Sequence, residues 1–183
     1  TKLRNQIRKA EKSGLDAVEG HLDLLDGFYE VLARNMRDLG SPIHSKSFFR
    51  SVLEEFPQST KLLAITIDGT LIAAGLICWL GATIEKTRAS SIREYNTFCP
   101  NNLLYWNAIR FAIGKGIKNF DFGRSTPNEG TYKFKKQWGA VPVQLNWQYL
   151  GGAGTITPEV NSQGRKFQIA ASIWRKLPVA VTK

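Results

Sequence analysis

Two runs of strand-forming residues, 62–67 and 71–80, flank the dipeptide Asp68-Gly69 near the middle of the chain. Asp-Gly between two apolar runs is a strong signal for a tight β-hairpin, because its turn needs residues that tolerate positive φ. A third run, residues 83–90, alternates Thr, Glu and Arg with smaller side chains, which is typical of a strand. The sequence therefore predicts an antiparallel three-stranded meander.

Helical spacing of apolar residues occurs on both sides of this meander. The predicted helices cover residues 2–12, about 20–39, 45–56, 102–115, a segment ending at Gly139, and 165–176. In the third helix Ser45 is the expected N-cap, and the residues expected to face inward are Phe48, Phe49, Val52, Leu53 and Phe56. Further strands are predicted at 119–122 and 143–150, and a loose loop at 151–163. This order indicates an α/β fold with a mixed, mostly antiparallel sheet flanked by helices.

The chain is strongly basic, with a net charge of +10. The charge is uneven, since residues 115–136 hold six basic and only two acidic side chains. Such a balance favours an anionic partner, which can be nucleic acid, a phosphate-bearing ligand or an acidic membrane surface. The alternative is ordinary charge that keeps the protein in solution.

The two cysteines indicate the compartment. Cys78 and Cys99 are far apart and form no C-x-x-C pair, which fits a reducing compartment better than a disulfide framework. The longest apolar run, residues 71–80, is too short to span a bilayer, and no signal peptide leads the sequence. We therefore expect a cytoplasmic location. Because the chain begins at Thr1 and Met36 is its only methionine, we also expect it to be part of a longer protein.

The residues best suited to chemistry lie between Phe120 and Gly139. The segment begins with Phe-Asp-Phe-Gly-Arg-Ser, crosses a polar turn and ends in Gly-Thr-Tyr-Lys-Phe-Lys-Lys-Gln-Trp-Gly. The crossing from a strand end to a helix is a frequent ligand site, because backbone N–H groups there lack partners. Asp121 can accept a proton or orient an amine at this crossing, or can simply cap the turn. Arg124 offers a planar guanidinium for phosphate or carboxylate.

The short helix after this turn carries three lysines. Tyr132, Lys135 and Lys136 can share one face, because residues three and four apart are neighbours on a helix. The run formed with Lys133 can also be only a solvated face. Because Lys135 comes close to the turn arginine, we favour a functional role for it.

Asn101 and Asn102 precede a predicted helix, where they can cap it or contribute to an anion site. Metal-ligand spacing, a P-loop and a Rossmann glycine pattern are absent from the sequence. Neither histidine neighbours a plausible Ser or Cys nucleophile. The chemistry we expect is therefore positioning and charge stabilisation, without a metal.

These motifs resemble a known family. The order of elements is similar to the GNAT acyltransferase fold, and the residues resemble its Fem-type branch, whose members transfer amino acids from charged tRNA onto cell-wall precursor peptides. The branch has a Tyr/Phe-Asp-Phe-Gly strand followed by a Gly-x-Tyr-x-Phe-Lys-x-x-Phe/Trp-Gly helix, and residues 120–123 and 130–139 match it closely. The resemblance implies that Lys135 is the active-site lysine, near the scissile ester and its phosphates.

The resemblance extends over most of the chain to about residue 150. Residues 4–10, 29–39 and 93–106 resemble the Fem-related proteins linked to bacterial exosortase (PEP-CTERM) and exopolysaccharide systems. Such proteins usually carry two GNAT-like domains, so an N-terminal GNAT-like domain is expected to precede this one. The implied organisation is a basic connecting helix at 1–14, a GNAT-like acyltransferase domain at 15–150, and a loop with a C-terminal basic helix at 151–183.

The resemblance and the turn together give the expected site. The expected catalytic residues are Asp121, which activates the acceptor, and Lys135 with Arg124, which stabilise the oxyanion formed by direct attack. The expected substrate-binding residues are Tyr95, Asn101, Asn102, Gly123, Ser125, Tyr132, Lys133 and Trp138.

The resemblance predicts an enzyme that moves an aminoacyl group from charged tRNA to an amine or hydroxyl of a cell-envelope precursor. One alternative is an acyl-CoA-dependent N- or O-acyltransferase of exopolysaccharide biosynthesis, although the Gln/Arg-x-x-Gly-x-Gly/Ala loop that grips the acetyl-CoA pyrophosphate is missing. Another is a non-catalytic RNA- or polymer-binding module. The expected partners are charged tRNA or acyl-CoA, an envelope or polysaccharide precursor, the preceding domain and the inner-membrane surface.

Overall fold

Five strands form one sheet in the computed structural model of the chain, which describes residues 2–146, 148 and 164–183. Across the sheet they lie in the order β1 Leu15–Gly20, β2 Thr60–Ile67, β3 Thr70–Leu80, β4 Thr83–Ser91 and β5 Asn119–Asp121. Neighbours from β1 to β4 pair antiparallel, and β5 pairs parallel with β4 over three residues. The predicted mixed, mostly antiparallel sheet is confirmed.

The hairpin between β2 and β3 forms as predicted. Ile67 pairs with Thr70, so the two turn residues are Asp68 and Gly69, with φ of 49° and 73°. Positive φ at both positions matches the type I′ turn, whose twist suits the flanking strands. A bulge at Ile72 shifts the register between Thr66 and Ile65, and both isoleucines are fully buried in the core.

Helices cover both faces of the sheet. α1 Lys2–Lys12 and α4 Pro100–Gly114 pack on one face, and α2 Leu25–Leu39 and α3 Lys46–Glu55 pack on the other. The remaining helices are α5 Gly130–Lys136, α6 Arg165–Trp174 and α7 Val179–Thr182, and short 3-10 turns occur at Leu22–Leu24 and Arg93–Phe98. The sheet therefore separates two apolar cores, one on each face.

The predicted second helix is wrong at its beginning. Residues before Leu25 form β1 and a 3-10 turn, so the antiparallel part of the sheet has four strands rather than three. Only the end residues of β1, Leu15 and Gly20, are buried, and the strand therefore lacks the two-residue alternation by which a strand is recognised. Its conformation depends on pairing with β2, which is distant in sequence.

The third predicted helix is confirmed, but not all of its inward face. The Ser45 hydroxyl accepts a hydrogen bond from the Phe48 backbone N–H, as expected of an N-cap. Phe49 is buried, whereas the side chains of Phe48 and Phe56 are 46% and 59% exposed. The Phe48 ring instead lies 4.7 Å from that of His44, at the surface.

The end of the chain differs from expectation in one predicted strand. Residues 143–146 and 148 are not in a strand, and the other residues of 143–150 lie outside the described part of the chain, as does the predicted loop 151–163. The predicted C-terminal helix is present as α6, and α7 was not predicted. α7 packs against α2, where Lys183 pairs with Glu30.

The N-terminal helix belongs to one of the two cores. Ala10 of α1 is completely buried, and the helix packs along α4. A role as a connection to a preceding domain stays a prediction. Over residues 2–146, 148 and 164–183, we find no helix with the length and apolar character needed to cross a membrane.

Candidate active site

A cavity of about 330 Å³ lies between β4, the N-terminal half of α4, and the turn and helix that follow β5. Its lining residues are Lys86, Ala89, Asn101, Tyr105, Arg124, Gly130, Thr131, Phe134 and Lys135. The cavity thus occupies the strand-to-helix crossing at which a ligand site is predicted. Two of the three expected catalytic residues, Arg124 and Lys135, meet in it.

A bulge in β4 shapes one wall of this cavity. Arg88 pairs with Leu76 and Lys86 pairs with Ile77, so Thr87 is an extra residue without its own partner on β3. In a regular strand, residues three apart point to opposite faces. The extra residue changes this phase, so that both Lys86 and the alanine three positions later line the cavity.

Lys135 is held by the turn that follows β5. Its ammonium donates hydrogen bonds of 2.7 Å to the backbone carbonyl oxygens of Gly123 and Arg124. Gly123 has a φ of 69°, in the left-handed region that favours glycine, and this bend exposes the two carbonyls to the lysine. Burial lowers the pKa of Lys135, while Asp121 and Glu85 oppose that shift.

Asp121 lies at the end of β5 and is exposed. Its carboxylate accepts a 2.6 Å hydrogen bond from the Gly123 backbone N–H, and it is not among the residues that line the cavity. Of the two interpretations that the sequence left open, capping of the turn is therefore the contact that forms. A role in proton transfer stays a prediction.

An aromatic cluster forms the apolar wall of the cavity and joins α5 to α4. The Tyr105 ring stacks on Phe122 and Trp138 at centroid distances of 5.8 and 6.0 Å, and Phe134 meets it edge to face at 5.0 Å. Such aromatic pairs stabilise the packing by more than the apolar area that they bury would give. Burial also raises the pKa of Tyr105 to about 12, so its phenol stays protonated at neutral pH.

Lys86 is the charged cavity residue that the sequence analysis missed. Its ammonium lies 5.1 Å from the centre of the Tyr105 ring, and its side chain is half-buried. Desolvation, followed by repulsion from Lys135, lowers its pKa to about 8. The only signal in the sequence is a lysine in a strand, where lysine is depleted. That signal does not show to which face of the sheet the lysine points, because the bulge decides it.

The two asparagines before α4 have different surroundings. Asn101 lines the cavity, and its side-chain amide donates a 3.0 Å hydrogen bond to the Ser91 hydroxyl. Asn102 is buried, and its amide lies 3.4 Å from the Gln6 side-chain oxygen of α1. Of the two, the structure brings only Asn101 into the cavity.

The other predicted substrate-binding residues are not among those that line the cavity. Tyr95 lies in the 3-10 turn before α4 and contacts Phe98 at 6.5 Å between ring centres. The Ser125 hydroxyl and the Trp138 indole nitrogen are buried without a hydrogen-bond partner among the described residues. On α5, Tyr132 is half-buried and Lys133 is exposed.

A larger cavity of about 400 Å³ lies between α2 and α7. Its two arginines, Arg34 and Arg37, already form ion pairs with Glu94 and Asp38. We place the site in the smaller cavity, which contains the predicted residues. Within the described residues, no group of three or more His, Cys, Asp or Glu side chains is arranged to hold a metal ion.

Comparison with known proteins agrees with this geometry. The family model of the acetyltransferase (GNAT) domain matches residues 1–136. The lipid II:glycine glycyltransferase of Staphylococcus haemolyticus (strain JCSC1435) is 28% identical over 94 residues, which is 48% of this chain and 22% of that protein.

Solved structures share the fold at low identity. The crystal structure of FemX superposes with a TM-score of 0.70 at 15% identity, covering 76% of this chain and 53% of that one. A ribosomal-protein-alanine N-acetyltransferase from Brucella melitensis biovar Abortus 2308 gives a TM-score of 0.59 at 14% identity, covering 75% of this chain and 99% of that one.

The chain belongs to the GNAT acetyltransferase domain family, as its sequence predicted. It is therefore a GNAT-type acyltransferase domain, with Fem-type similarity at low identity. The chain spans about a fifth of the length of the curated glycyltransferase that it matches. The link to exosortase and exopolysaccharide systems stays a prediction.

Proposed function

We propose that this domain transfers an aminoacyl group from charged tRNA to an amine or hydroxyl of a cell-envelope precursor. The observation that carries the proposal is the pairing of a cationic cavity with a turn motif of the Fem type. The similarity to a lipid II:glycine glycyltransferase supports the transfer of an aminoacyl group to an envelope precursor.

The charges that line the cavity suit the end of a charged tRNA. An aminoacyl ester lies beside the phosphates of the tRNA acceptor end, and the cavity presents Lys86, Arg124 and Lys135. Arginine and lysine are the side chains that bind phosphate oxygens most strongly. The net charge of +10 would add a long-range attraction for the same polyanion.

Lys135 would act on the transition state as a fixed cation. Two of its three N–H donors hold the carbonyls of Gly123 and Arg124, and the described residues leave one donor for a ligand. A fixed cation can stabilise the oxyanion without reorganising during the reaction, an effect worth roughly 10²–10³ in rate for one donor. We propose direct attack of the acceptor on the ester, with no covalent enzyme intermediate.

An acyl-CoA-dependent N- or O-acyltransferase of exopolysaccharide biosynthesis is the second candidate function. The likeness to a small N-acetyltransferase favours it, because the shared fold covers 99% of that chain. The segment before α4 opposes it, because residues 93–98 form a 3-10 turn followed by Cys99 at a φ of 60°, and no glycine there lets backbone amides approach a pyrophosphate.

The proposal includes the setting of the reaction. Because tRNA is charged in the cytoplasm, the transfer would occur there, and a lipid-linked precursor would bring the domain to the inner-membrane surface. A preceding GNAT-like domain is proposed to complete the acceptor groove. Neither a metal nor a tightly bound cofactor is part of the proposed chemistry.

The first experiment compares donors on the same protein. Thermal unfolding is followed with bulk aminoacylated tRNA, uncharged tRNA, acetyl-CoA and longer acyl-CoAs, since a ligand at 100 times its Kd stabilises the fold by about 2.7 kcal/mol. Transfer of labelled amino acids to a bacterial lipid extract is measured in parallel. Stabilisation and transfer specific to charged tRNA support the proposal.

The other outcomes are equally informative. Transfer from an acyl-CoA alone would replace the proposal with the second candidate. Equal, strongly salt-dependent binding of charged and uncharged tRNA, with no transfer from any donor, would identify a binding module instead.

A further inference from the structure

The proposed reaction needs a group that takes a proton from the attacking acceptor, and the cavity offers one that the motifs did not indicate. Asp121, the residue expected to do this, caps the turn through Gly123 and lies outside the cavity lining. Lys86 projects into the cavity from the bulged part of β4. Its ammonium makes no hydrogen bond or ion pair with the described residues, and it lies over the face of the Tyr105 ring.

The two cavity lysines have different surroundings. Lys135 is fixed by two carbonyl oxygens at 2.7 Å, which favour its charged form. Lys86 lies over the face of the Tyr105 ring, a cation–π contact that favours its charged form, whereas burial and the neighbouring Lys135 ammonium disfavour it. Burial lowers the pKa of Lys135 too, but its two acceptors hold it as a cation. Lys86 has no such acceptor among the described residues, and it is the lysine suited to alternate between amine and ammonium.

The charged and titratable groups around Lys86 come from four elements. They are Glu85 and Arg88 on β4, Tyr105 on α4, Asp121 with Arg124 at the end of β5, and Lys135 on α5. Glu85 opposes the loss of charge on Lys86, while Arg88 and Lys135 promote it. Burial, together with this balance of charges, lowers the pKa of Lys86 to about 8, which suits a group that must be partly neutral near physiological pH.

We propose that Lys86 is the general base of the transfer, an inference that rests on the proposed function. The neutral Nζ of Lys86 accepts the proton from the acceptor's amine or hydroxyl as that atom bonds to the carbonyl carbon. The bond between the carbonyl carbon and the donor's ester oxygen then breaks. The proton passes from Lys86 to the departing oxygen, which leaves as the 3′-terminal hydroxyl of the tRNA, and Lys86 is neutral again.

The state of Lys86 can be measured without any substrate. The chain is reductively methylated with ¹³C-formaldehyde, and the resonance of Lys86 is assigned by its absence from Lys86→Met. It should titrate with a midpoint near pH 8, against 10.5 for an ordinary lysine. A midpoint at the ordinary value would remove the base from the proposal.

The role of Lys86 in transfer needs variants that separate basicity from charge. Lys86→Arg keeps a cation that does not deprotonate, and Lys86→Met keeps most of the aliphatic length. Both should lose at least ~100-fold in kcat, within the range that general bases contribute. For the wild type we expect the rate to rise with pH near pH 8. Both variants should lose this rise, while Lys118→Met, which changes an exposed lysine outside the cavity, should keep it.

The outcomes distinguish this inference from the function on which it rests. Absence of transfer by the wild type with every donor overturns the proposed function. Transfer by the wild type that Lys86→Arg fully retains shows that Lys86 acts as a fixed cation, which overturns the base role alone. Thermal unfolding of each variant confirms that the fold is intact.

Discussion

Lys135→Ala tests whether the anchored lysine supports both the turn and the reaction. The substitution removes two 2.7 Å hydrogen bonds from an ammonium to the carbonyls of Gly123 and Arg124. Hydrogen bonds to charged groups contribute about 1.5–3 kcal/mol each when they are buried. Lys135 is only half-buried, and water can reach the carbonyls once the side chain is gone, so we expect about 1–2 kcal/mol for the pair.

The expected signals follow from these values. A loss of 1 kcal/mol lowers Tm by roughly 2–4 °C in a chain of this size, so Tm should fall by about 2–8 °C. Transfer should slow at least ~10-fold, because the oxyanion loses a fixed cation. Differential scanning calorimetry and a single-turnover assay with labelled donor measure the two effects. Lys136→Ala, which removes an exposed lysine outside the cavity on the same helix, is the matched control.

Two results would contradict this reasoning. Unchanged transfer together with a lower Tm would leave Lys135 as a structural anchor and remove it from the mechanism. Unchanged Tm would show that the two carbonyl contacts do not stabilise the folded chain.

Three further predictions concern stability. Ser45→Ala should cost about 1 kcal/mol in urea denaturation, because α3 loses the acceptor for the Phe48 N–H, and no change would mean that the cap contributes nothing. Gly75→Ala should lower the unfolding free energy by about 1–3 kcal/mol, since the added Cβ would lie 2.9 Å from the Arg88 carbonyl oxygen. If the variant keeps the Tm of the wild type, this packing of β3 on β4 is contradicted. The pKa of Lys86 is about 8 in the folded chain and 10.5 when unfolded, so the unfolded chain binds more protons between these two pH values. The unfolding free energy of the wild type, relative to that of Lys86→Met, should therefore rise from pH 8 to 10.5. A constant difference over this range would refute the desolvation of Lys86.

Local sequence signals predicted the elements whose conformation is set locally. The Asp68-Gly69 turn and the Ser45 cap depend on residues within a few positions, and both form as predicted. β1 depends instead on pairing with β2, some fifty positions away, and its exposed middle residues give no periodic signal. The predicted second helix therefore began too early, at about residue 20 instead of Leu25.

The site was predictable where residues act through a continuous motif. Arg124 and Lys135 belong to one such motif, and the turn between them brings them into the same cavity. Lys86 comes from another part of the chain, and its direction depends on an extra residue in β4 that appears only once the register with β3 is known. The contact of Asp121 with Gly123 likewise depends on the bend of the turn.

The described lining of the cavity comes entirely from the stretch between Lys86 and Lys135, whereas the core beneath α2 and α3 is built from residues that all precede it. The cavity and the core beneath α2 and α3 therefore come from separate stretches of the chain, although the later stretch also supplies Leu103, Leu104, Ala108 and Ala112 to the core on the other face. Exchanging residues 86–135 as a block between relatives would replace the cavity lining and leave the core beneath α2 and α3 unchanged in sequence.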